Sequence, residues 1–541
     1  MKRMIFTLTI CLLSSLLPAQ EILTVAESSD YAKTSLYNDV MNFLYQVQKR
    51  SDLVKILPLT TSSEGRMVPL VVLSKDRISR PGDLATYGKP AVLVMANIHA
   101  GEIEGKEASL MLIRDIALGR FAGLLDAQVL LFVPIFNADG NDKLGHNRRD
   151  LGPELAGVRF NGQNLDLNRD YLKLESPEVG ALVDLFKTWD PVLTVDMHTT
   201  NGSYHREPVT YSTLLNPNSD KTLRDYMWQK LFPFAARTLK TVYGYDSLPY
   251  GGFVDREFPE KGWTSDALED RYGSNYVGLR NRFSILDENY SYADFKTRVL
   301  ASRAFVASVL AYTAKNIAAM AEMTHRADRE TTALFSRGEF VLEFRLERLF
   351  DVTVKSYEFV KEMIKPEDKA KYPPWVGDFI MKKTDTLKDY TMPYLSLAVP
   401  VRSLKLPAGY ILLPQQPEAL ANLKQHGLRL EKILEGFTCE AENFKISGVE
   451  LDKNIFQGHV LNTFKGSYEK AAANIPVGSY FVSLEQPLAR LVSELLEPES
   501  ADSLAAWGFF NRVIVQQWSN RPGPYPVCRL AQKPPVATLS E

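Results

Sequence analysis

Between residues 35 and 320, continuous apolar runs alternate with segments of helical periodicity. Residues 35–49 carry apolar side chains at helical spacing, as does the segment after His99, and both patterns predict amphipathic helices. Near-continuous apolar strands that alternate with helices are typical of a sheet covered by helices on both faces, so the pattern predicts an α/β fold. The predicted strands are Val68–Val72, Pro90–Ala96, Val129–Phe136, Val192–Val195 and Phe283–Leu286.

The pattern changes after Thr324, where short apolar runs are separated by Pro and Gly turns. The strands predicted there are Gly338–Arg345, Leu395–Val401, Tyr410–Leu413 and Tyr480–Leu484, and the predicted helices are Pro417–His426 and Leu488–Leu496. A chain of 541 residues is too long for a single hydrophobic core. We therefore predict an α/β domain of residues 21–329, followed by a β-rich accessory domain of residues 330–541.

Residues 1–20 have the three-part pattern of a secretory signal peptide. Two basic residues precede an apolar run at positions 4–17, and Ala19 is the small residue that closes the segment. The pattern predicts a secreted or periplasmic protein. In such a protein Cys439 and Cys528 could pair, but two free buried thiols are an equal alternative.

Composition and charge bear on whether the protein binds nucleic acid or spans a membrane. Apolar residues make up 45% of the chain and charged residues 24%, as in an ordinary globular protein, and the formal net charge of -2 comes without a long run of one sign. We therefore expect no nucleic-acid partner. The apolar stretch of residues 300–323 contains Arg303 and Lys315, so we interpret it as a core helix and expect no transmembrane segment after removal of the signal.

Four residues that can bind a metal or a proton lie near the carboxyl ends of predicted strands. They are His99, Glu102, His198 and Glu288, and open α/β sheets gather ligand sites at that edge. His99 and Glu102 are three residues apart and can reach one Zn²⁺, and His198 supplies a third ligand. Three protein ligands with one position left for water are the catalytic form of a zinc site. Asp196 either orients an imidazole or satisfies local backbone amides.

The order of motifs resembles the zinc metallocarboxypeptidase family of the carboxypeptidase A type over residues 30–320, in a secreted, bacterial-like member. The motifs are His99-x-x-Glu102, Asn137-Ala-Asp-Gly140, Asp166-Leu-Asn-Arg169, His198 and Glu288. The resemblance implies a mixed, mostly parallel sheet and Zn²⁺ bound by His99, Glu102 and His198. It also implies that Asn168 and Arg169 hold the terminal carboxylate of a substrate, which suits a guanidinium and a neighbouring amide.

The resemblance further assigns Glu288 as the catalytic carboxylate and one arginine as the group that stabilises the tetrahedral oxyanion. Gly157-Val-Arg159 is most similar to the family segment, so we choose Arg159 and interpret Arg148 and Arg149 as solvated loop residues. Successive residues of a strand point to opposite sides, so only one of Asp287 and Glu288 should face the zinc.

The sequence departs from the family at several positions. Gly101 stands where many relatives have an arginine, and Val158 where an aromatic residue usually precedes the oxyanion arginine. The tyrosine that closes over the bound terminus has two candidates, Tyr272 and Tyr276. The pocket for the substrate side chain is expected in the loops between residues 205 and 282.

These residues predict zinc-dependent hydrolysis of the C-terminal peptide bond of a peptide or protein with a free C-terminus. An alternative is a zinc amidase that acts on cell-wall peptides or acylated amino acids. A third possibility is a secreted binding protein that has lost catalysis. Loss of the base or of a ligand would mark it, and neither is missing from the sequence.

Overall fold

A computed structural model describes residues 21–149, 151–200, 203–265, 268–334, 337–373, 376–515 and 521–541. The predicted signal of residues 1–20, with Cys11, lies outside the described residues. The main sheet has eight strands and is mixed, with a central group of four parallel strands. In their order across the sheet the strands are Val54–Thr61, Met67–Leu73, Val129–Val133, Ala91–Ala96, Leu193–Thr200, Phe283–Tyr290, Val209–Ser212 and Ser247–Pro249.

Two central strands extend further than the apolar runs predict. They continue to Thr200 and Tyr290, so His198 and Glu288 lie inside strands rather than past their ends. The apolar runs gave no sign of this because the last parts of both strands carry mostly polar side chains. His198 and Glu288 are direct partners in the parallel register, which places both side chains on one face of the sheet.

Helices cover both faces of the main sheet, as the sequence predicts. Met197 faces helix Glu104–Ala117, where its Cβ lies next to Gly105, whereas its neighbour Asp196 faces helices Pro177–Thr188 and Gly273–Leu279 on the other side. The remaining helices of at least six residues before residue 340 are Tyr37–Arg50, Pro81–Tyr87, Lys221–Tyr226, Phe232–Tyr243 and Phe295–Leu334. The α/β fold with a mixed sheet is therefore confirmed.

The long helix Phe295–Leu334 is the one candidate membrane span among the described residues, by length and composition. Its most apolar window is 61% buried inside the protein. It packs against helices Glu104–Ala117 and Phe232–Tyr243, which is the arrangement expected of a core helix.

The C-terminal region is β-rich, as predicted, but its strands are much longer than the short runs suggest. A first hairpin pairs Glu339–Met363 with Phe379–Lys405, and a second pairs Phe437–Phe456 with His459–Ile475. The second hairpin belongs to a seven-stranded antiparallel sheet, and the sequence pattern missed it because much of it is exposed and polar on both faces. The other strands of that sheet are Gly409–Leu412, Glu431–Ile433, Tyr480–Ser483, Val527–Leu530 and Thr538–Ser540, and the region's helices are Pro417–Gln425, Ala489–Leu496 and Asn511–Ile514.

The C-terminal region packs directly against the α/β region. Strand Trp263–Thr264 pairs in parallel with the strand Phe379–Lys405, and helix Ala489–Leu496 contacts helix Gly273–Leu279. Helix Phe295–Leu334 crosses the boundary predicted near residue 330. Cys439 and Cys528 are both free thiols.

Candidate metal centre and substrate pocket

His99 and Glu102 lie in a tight loop between strand Ala91–Ala96 and helix Glu104–Ala117. The backbone N–H of Glu102 donates to the carbonyl of His99 at 2.9 Å, which turns both side chains toward the same space. Gly101 is required by close approach, since a Cβ there would lie 2.8 Å from the carbonyl oxygen of Gly157. This contact explains why an arginine does not fit at the position.

The three predicted ligands converge on one buried point. Glu102 lies between the two imidazoles: its Oε1 is 3.1 Å from His99 Nδ1, and its Oε2 is 3.0 Å from His198 Nδ1. The three ligand atoms lie within 4.8 Å of one another. Two imidazole nitrogens and a carboxylate oxygen on a buried, compact site form a donor set that suits Zn²⁺, so the residues fit the metal that the sequence predicts.

A second carboxylate lies next to the outer nitrogen of each imidazole. His99 Nε2 lies 3.0 Å from Asp166 Oδ1, and His198 Nε2 lies 3.0 Å from Asp196 Oδ2. Such carboxylates fix the orientation of a metal-binding imidazole and leave its other nitrogen free for the metal. Sequence reasoning considered Asp196 for this role but missed Asp166, although Asp166 opens the motif that contains Asn168 and Arg169.

The charges of the two histidines dominate the electrostatics of Glu102. Burial opposes ionisation of this carboxylate, but the charges and hydrogen bonds of His99 and His198 outweigh that cost and hold the pKa of Glu102 well below its ordinary value. Burial likewise opposes the ionised form of Asp166, and His99 and Arg159 overcome it and lower the pKa of Asp166. Both carboxylates are therefore ionised at neutral pH.

Glu288 faces the same space from the strand beside His198. It is 9% exposed, and its Oε2 has no hydrogen-bond partner among the described residues. Burial raises the pKa of Glu288 to about 8. Asp287 points to the opposite side of the sheet, where its Oδ2 accepts a hydrogen bond from Ser302 Oγ at 2.7 Å, so the two neighbours face opposite ways as the strand geometry requires.

Two of the three candidate arginines reach the pocket. Arg159 Nε donates to Asp166 Oδ2 at 2.8 Å, and its Nη1 lies 3.6 Å from Glu102 Oε1. Arg149 Nη2 donates to Glu102 Oε1 at 2.9 Å and to the carbonyl of Thr199 at 2.8 Å. Arg148 is exposed. Sequence reasoning treated Arg148 and Arg149 alike because alternation of side chains cannot be read from a loop.

Asn168 and Arg169 line the same pocket. Arg169 stacks on the ring of Tyr272, with its Cζ 4.1 Å from the ring centroid, and Asn168 Oδ1 accepts a hydrogen bond from the backbone of Gly273 at 2.9 Å. Tyr276 is fully buried, and its hydroxyl lies 2.8 Å from His426 Nδ1. Of the two candidate tyrosines, Tyr272 is therefore the one that lines the pocket.

These groups line a pocket of about 520 Å³. Beyond the residues described above, it is lined by Thr200, Ser203, Tyr250, Gly251, Gly252, Phe253, Thr264, Ser274 and Leu286. Most of them come from the loops in which the side-chain pocket is expected. Of the acidic residues in these loops, Asp255, Glu269 and Asp270 do not line the pocket, and Asp266 lies outside the described residues. The wall at Tyr250 is fixed by the C-terminal region, because Tyr394 Oη donates to the carbonyl of Tyr250 at 3.1 Å.

Comparisons with known proteins point to one family. Residues 40–251 match the family described as zinc carboxypeptidase, a range that includes His99, Glu102 and His198. The chain is 25% identical over 470 residues to Carboxypeptidase 2 of Trichophyton rubrum, covering 83% of this chain and 78% of the relative. It is 28% identical over 130 residues to human Carboxypeptidase D, covering 20% of this chain and 9% of the relative. A solved metallo-carboxypeptidase from Burkholderia cenocepacia matches with a TM-score of 0.39 and 18% identity over 53% of this chain and 71% of that structure.

Proposed function

We propose that this chain, whose residues 40–251 match the zinc carboxypeptidase family, is a metallopeptidase whose pocket releases the last residue of a peptide with a free C-terminus. The observation that supports this reaction most is that two groups line one pocket. The first is the cluster of His99, Glu102 and His198 with Glu288, and the second is Arg169 with Asn168. A terminal carboxylate bound by Arg169 would bring the last peptide bond toward Glu288.

The metal would be held by His99 Nδ1, His198 Nδ1 and the carboxylate of Glu102. When bound, Zn²⁺ supplies a Lewis acid that polarises the scissile carbonyl and lowers the pKa of water. Asp166 and Asp196 keep the two imidazoles in the orientation that presents Nδ1 to the pocket.

Glu288 is the general base in this mechanism. It accepts a proton from the attacking water, and the same carboxyl then donates that proton to the leaving amine. Its burial and its Oε2 without a hydrogen-bond partner suit this role, because a carboxylate held by a permanent ion pair would be a weaker base.

Arg159 stabilises the negative charge that develops on the carbonyl oxygen, and Arg149, whose guanidinium also reaches Glu102, is placed to share that role. Donors that are already oriented toward the developing charge lower the barrier without reorganisation. Asn168 and Arg169 bind the terminal carboxylate, and Arg169 is kept in place by the ring of Tyr272.

A matched pair of peptides tests the proposal. Zinc-loaded protein is given the same peptide with a free C-terminus and with a C-terminal amide, and released amino acid is quantified. We expect cleavage of the free peptide only. Arg169→Ala should lower kcat/KM for the free peptide by about 10- to 100-fold, because it removes a charge-assisted hydrogen bond. Arg148→Ala, which changes an exposed arginine of a nearby loop, is the control.

Equal cleavage of the amidated peptide would instead favour the amidase alternative. No cleavage of either peptide by protein that has bound zinc would favour the binding protein. We also propose that the protein is exported, which the pattern of residues 1–20 supports. Mass spectrometry of protein from the native host should find a mature N-terminus close to Gln20 or Glu21.

A further inference from the structure

The tip of the second long hairpin in the C-terminal region touches the α/β region beside the pocket. We call residues 456–459 the hairpin tip. Gln457 Oε1 accepts a hydrogen bond from the backbone N–H of Asp166 at 2.7 Å, and His459 Nε2 lies 2.7 Å from Glu175 Oε1. The tip therefore holds the segment that begins with Asp166 and carries Asn168 and Arg169.

The same tip also holds the segment that carries Tyr272. The guanidinium of Arg271 lies over the rings of Phe456 and Trp507, at 5.3 and 5.2 Å from their centroids. Asp502 forms an ion pair with the same side chain, with its Oδ1 2.8 Å from Arg271 Nε. Its Oδ2 accepts a hydrogen bond from the backbone N–H of Arg271 at 3.1 Å. Three residues of the C-terminal region thus bind the side chain of Arg271. The next residue in the chain is Tyr272.

These contacts meet at the groups that would bind the substrate carboxylate. Asp166 begins the turn of residues 167–169, since its Oδ1 accepts the N–H of Asn168 at 3.0 Å and its carbonyl accepts the N–H of Arg169 at 2.9 Å. Arg169 then stacks on Tyr272. The two consecutive residues Phe456 and Gln457 therefore contact Arg271 and Asp166, which lie in the two segments that carry Tyr272 and Arg169.

The backbone of the tip is strained at Gln457. Phe456 and His459 are paired, so Gln457 and Gly458 form a two-residue loop, and their φ angles are +53° and +80°. Asn or Gly is preferred at the first position of such a loop, and a longer side chain there is strained. Gln457 bears that strain, and its amide reaches the N–H of Asp166, which the shorter amide of Asn cannot do.

We propose that Gln457 is a positioning residue for the substrate-carboxylate clamp of Asn168, Arg169 and Tyr272, and that the hairpin tip sets the affinity of the pocket for free C-termini. The inference rests on the function proposed above. Gln457 contacts no substrate in this scheme and acts through Asp166.

The variant that tests the proposal is Gln457→Asn. Asn is better suited to the loop, so the hairpin and the thermal midpoint should be unaffected or slightly improved, but the hydrogen bond to Asp166 is lost. We expect KM for a free-terminus peptide to rise about 5- to 10-fold, as for loss of one neutral hydrogen bond, while kcat and bound zinc stay within twofold of the parent. Asn454→Ala, at an exposed position of the same hairpin, should change nothing.

A second measurement does not depend on activity. Amide hydrogen exchange in the peptide that contains Asp166 should be faster in Gln457→Asn than in the parent, because this N–H loses its acceptor. Unchanged KM and unchanged exchange would overturn the positioning role while the parent still cleaves free-terminus peptides. If zinc-loaded parent protein cleaves nothing, the proposed function fails, and unchanged exchange at Asp166 would then overturn the contact itself.

Discussion

Replacing Glu288 by glutamine tests the proposed base most directly. The substitution keeps the size of the side chain but removes its ability to accept the proton of water. A general base contributes a factor of about 10² to 10⁴ to the rate, which corresponds to about 3–5 kcal/mol of barrier. The neighbouring carboxylate of the strand, Asp287, does not replace Glu288, because it points to the other side of the sheet and accepts a hydrogen bond from Ser302.

The same structure predicts little loss of stability in this variant. A carboxylate that served only stability would pair with a basic neighbour such as Arg282 or Arg298. Arg282 instead pairs with Asp190 and Asp328, and Arg298 pairs with Glu104. Burial raises the pKa of Glu288 to about 8, so its ionised form is costly in the folded protein, and a neutral amide removes that cost.

The assay measures kcat on a free-terminus peptide, bound zinc and the thermal midpoint for the parent and for Glu288→Gln. We expect a loss of at least 10²-fold in kcat, unchanged zinc and a midpoint that does not fall. Glu178→Gln is the control, since Glu178 is also buried with a pKa raised by burial but does not line the pocket. Near-parental turnover in Glu288→Gln would refute the reasoning.

Two further predictions concern the metal and the pH dependence of folding. His198→Ala should lower zinc occupancy sharply in equilibrium dialysis, because it removes one of three protein ligands, whereas the exposed His146→Ala should not. Burial raises the pKa of Glu494, which is hydrogen-bonded to Asp270, to about 7, against about 4.3 in an unfolded chain. The stabilisation by protonated Glu494 is therefore complete below about pH 4 and is lost as the pH rises to about 7. Glu494→Gln should flatten the pH dependence of the thermal midpoint over this window, whereas the exposed Glu435→Gln should not.

The α/β fold could be predicted from the sequence because the central strands are buried on both faces. Strand Ala91–Ala96 is buried at every position, and such runs stand out in the sequence. Edge strands gave weaker signals. Val54–Thr61 is buried only at Val54 and contains a proline and a bulge, so no continuous apolar run marks it.

The pocket residues that could be predicted are those whose spacing along the chain, or position at a strand end, brings them together. His99 and Glu102 are neighbours in a tight loop, and His198 and Glu288 are partners across two adjacent strands, so a pattern of strands and polar residues locates all four. Contacts between distant loops leave no such mark. Arg149 and Tyr272 lie in the pocket because of how their loops fold over it, and a single sequence does not distinguish them from Arg148 and Tyr276.

The role of the C-terminal region was equally hidden, because it depends on packing across the two regions. Its helices belong to the same hydrophobic cluster as the α/β core. The ring of His426 is hydrogen-bonded to the hydroxyl of the buried Tyr276, and the backbone carbonyl of His426 accepts a hydrogen bond from Arg280 at 3.0 Å. A chain cut near residue 330 would end inside helix Phe295–Leu334 and remove the hydrogen bonds that His426 makes with the buried Tyr276 and Arg280, which is costly. Tyr276 lies in helix Gly273–Leu279 and Arg280 directly follows it. This helix starts directly after Tyr272, so the loss of these hydrogen bonds would destabilise the pocket lining at Tyr272. We therefore propose that the region after residue 330 is part of the structure that holds the proposed substrate clamp and is not a separable attachment.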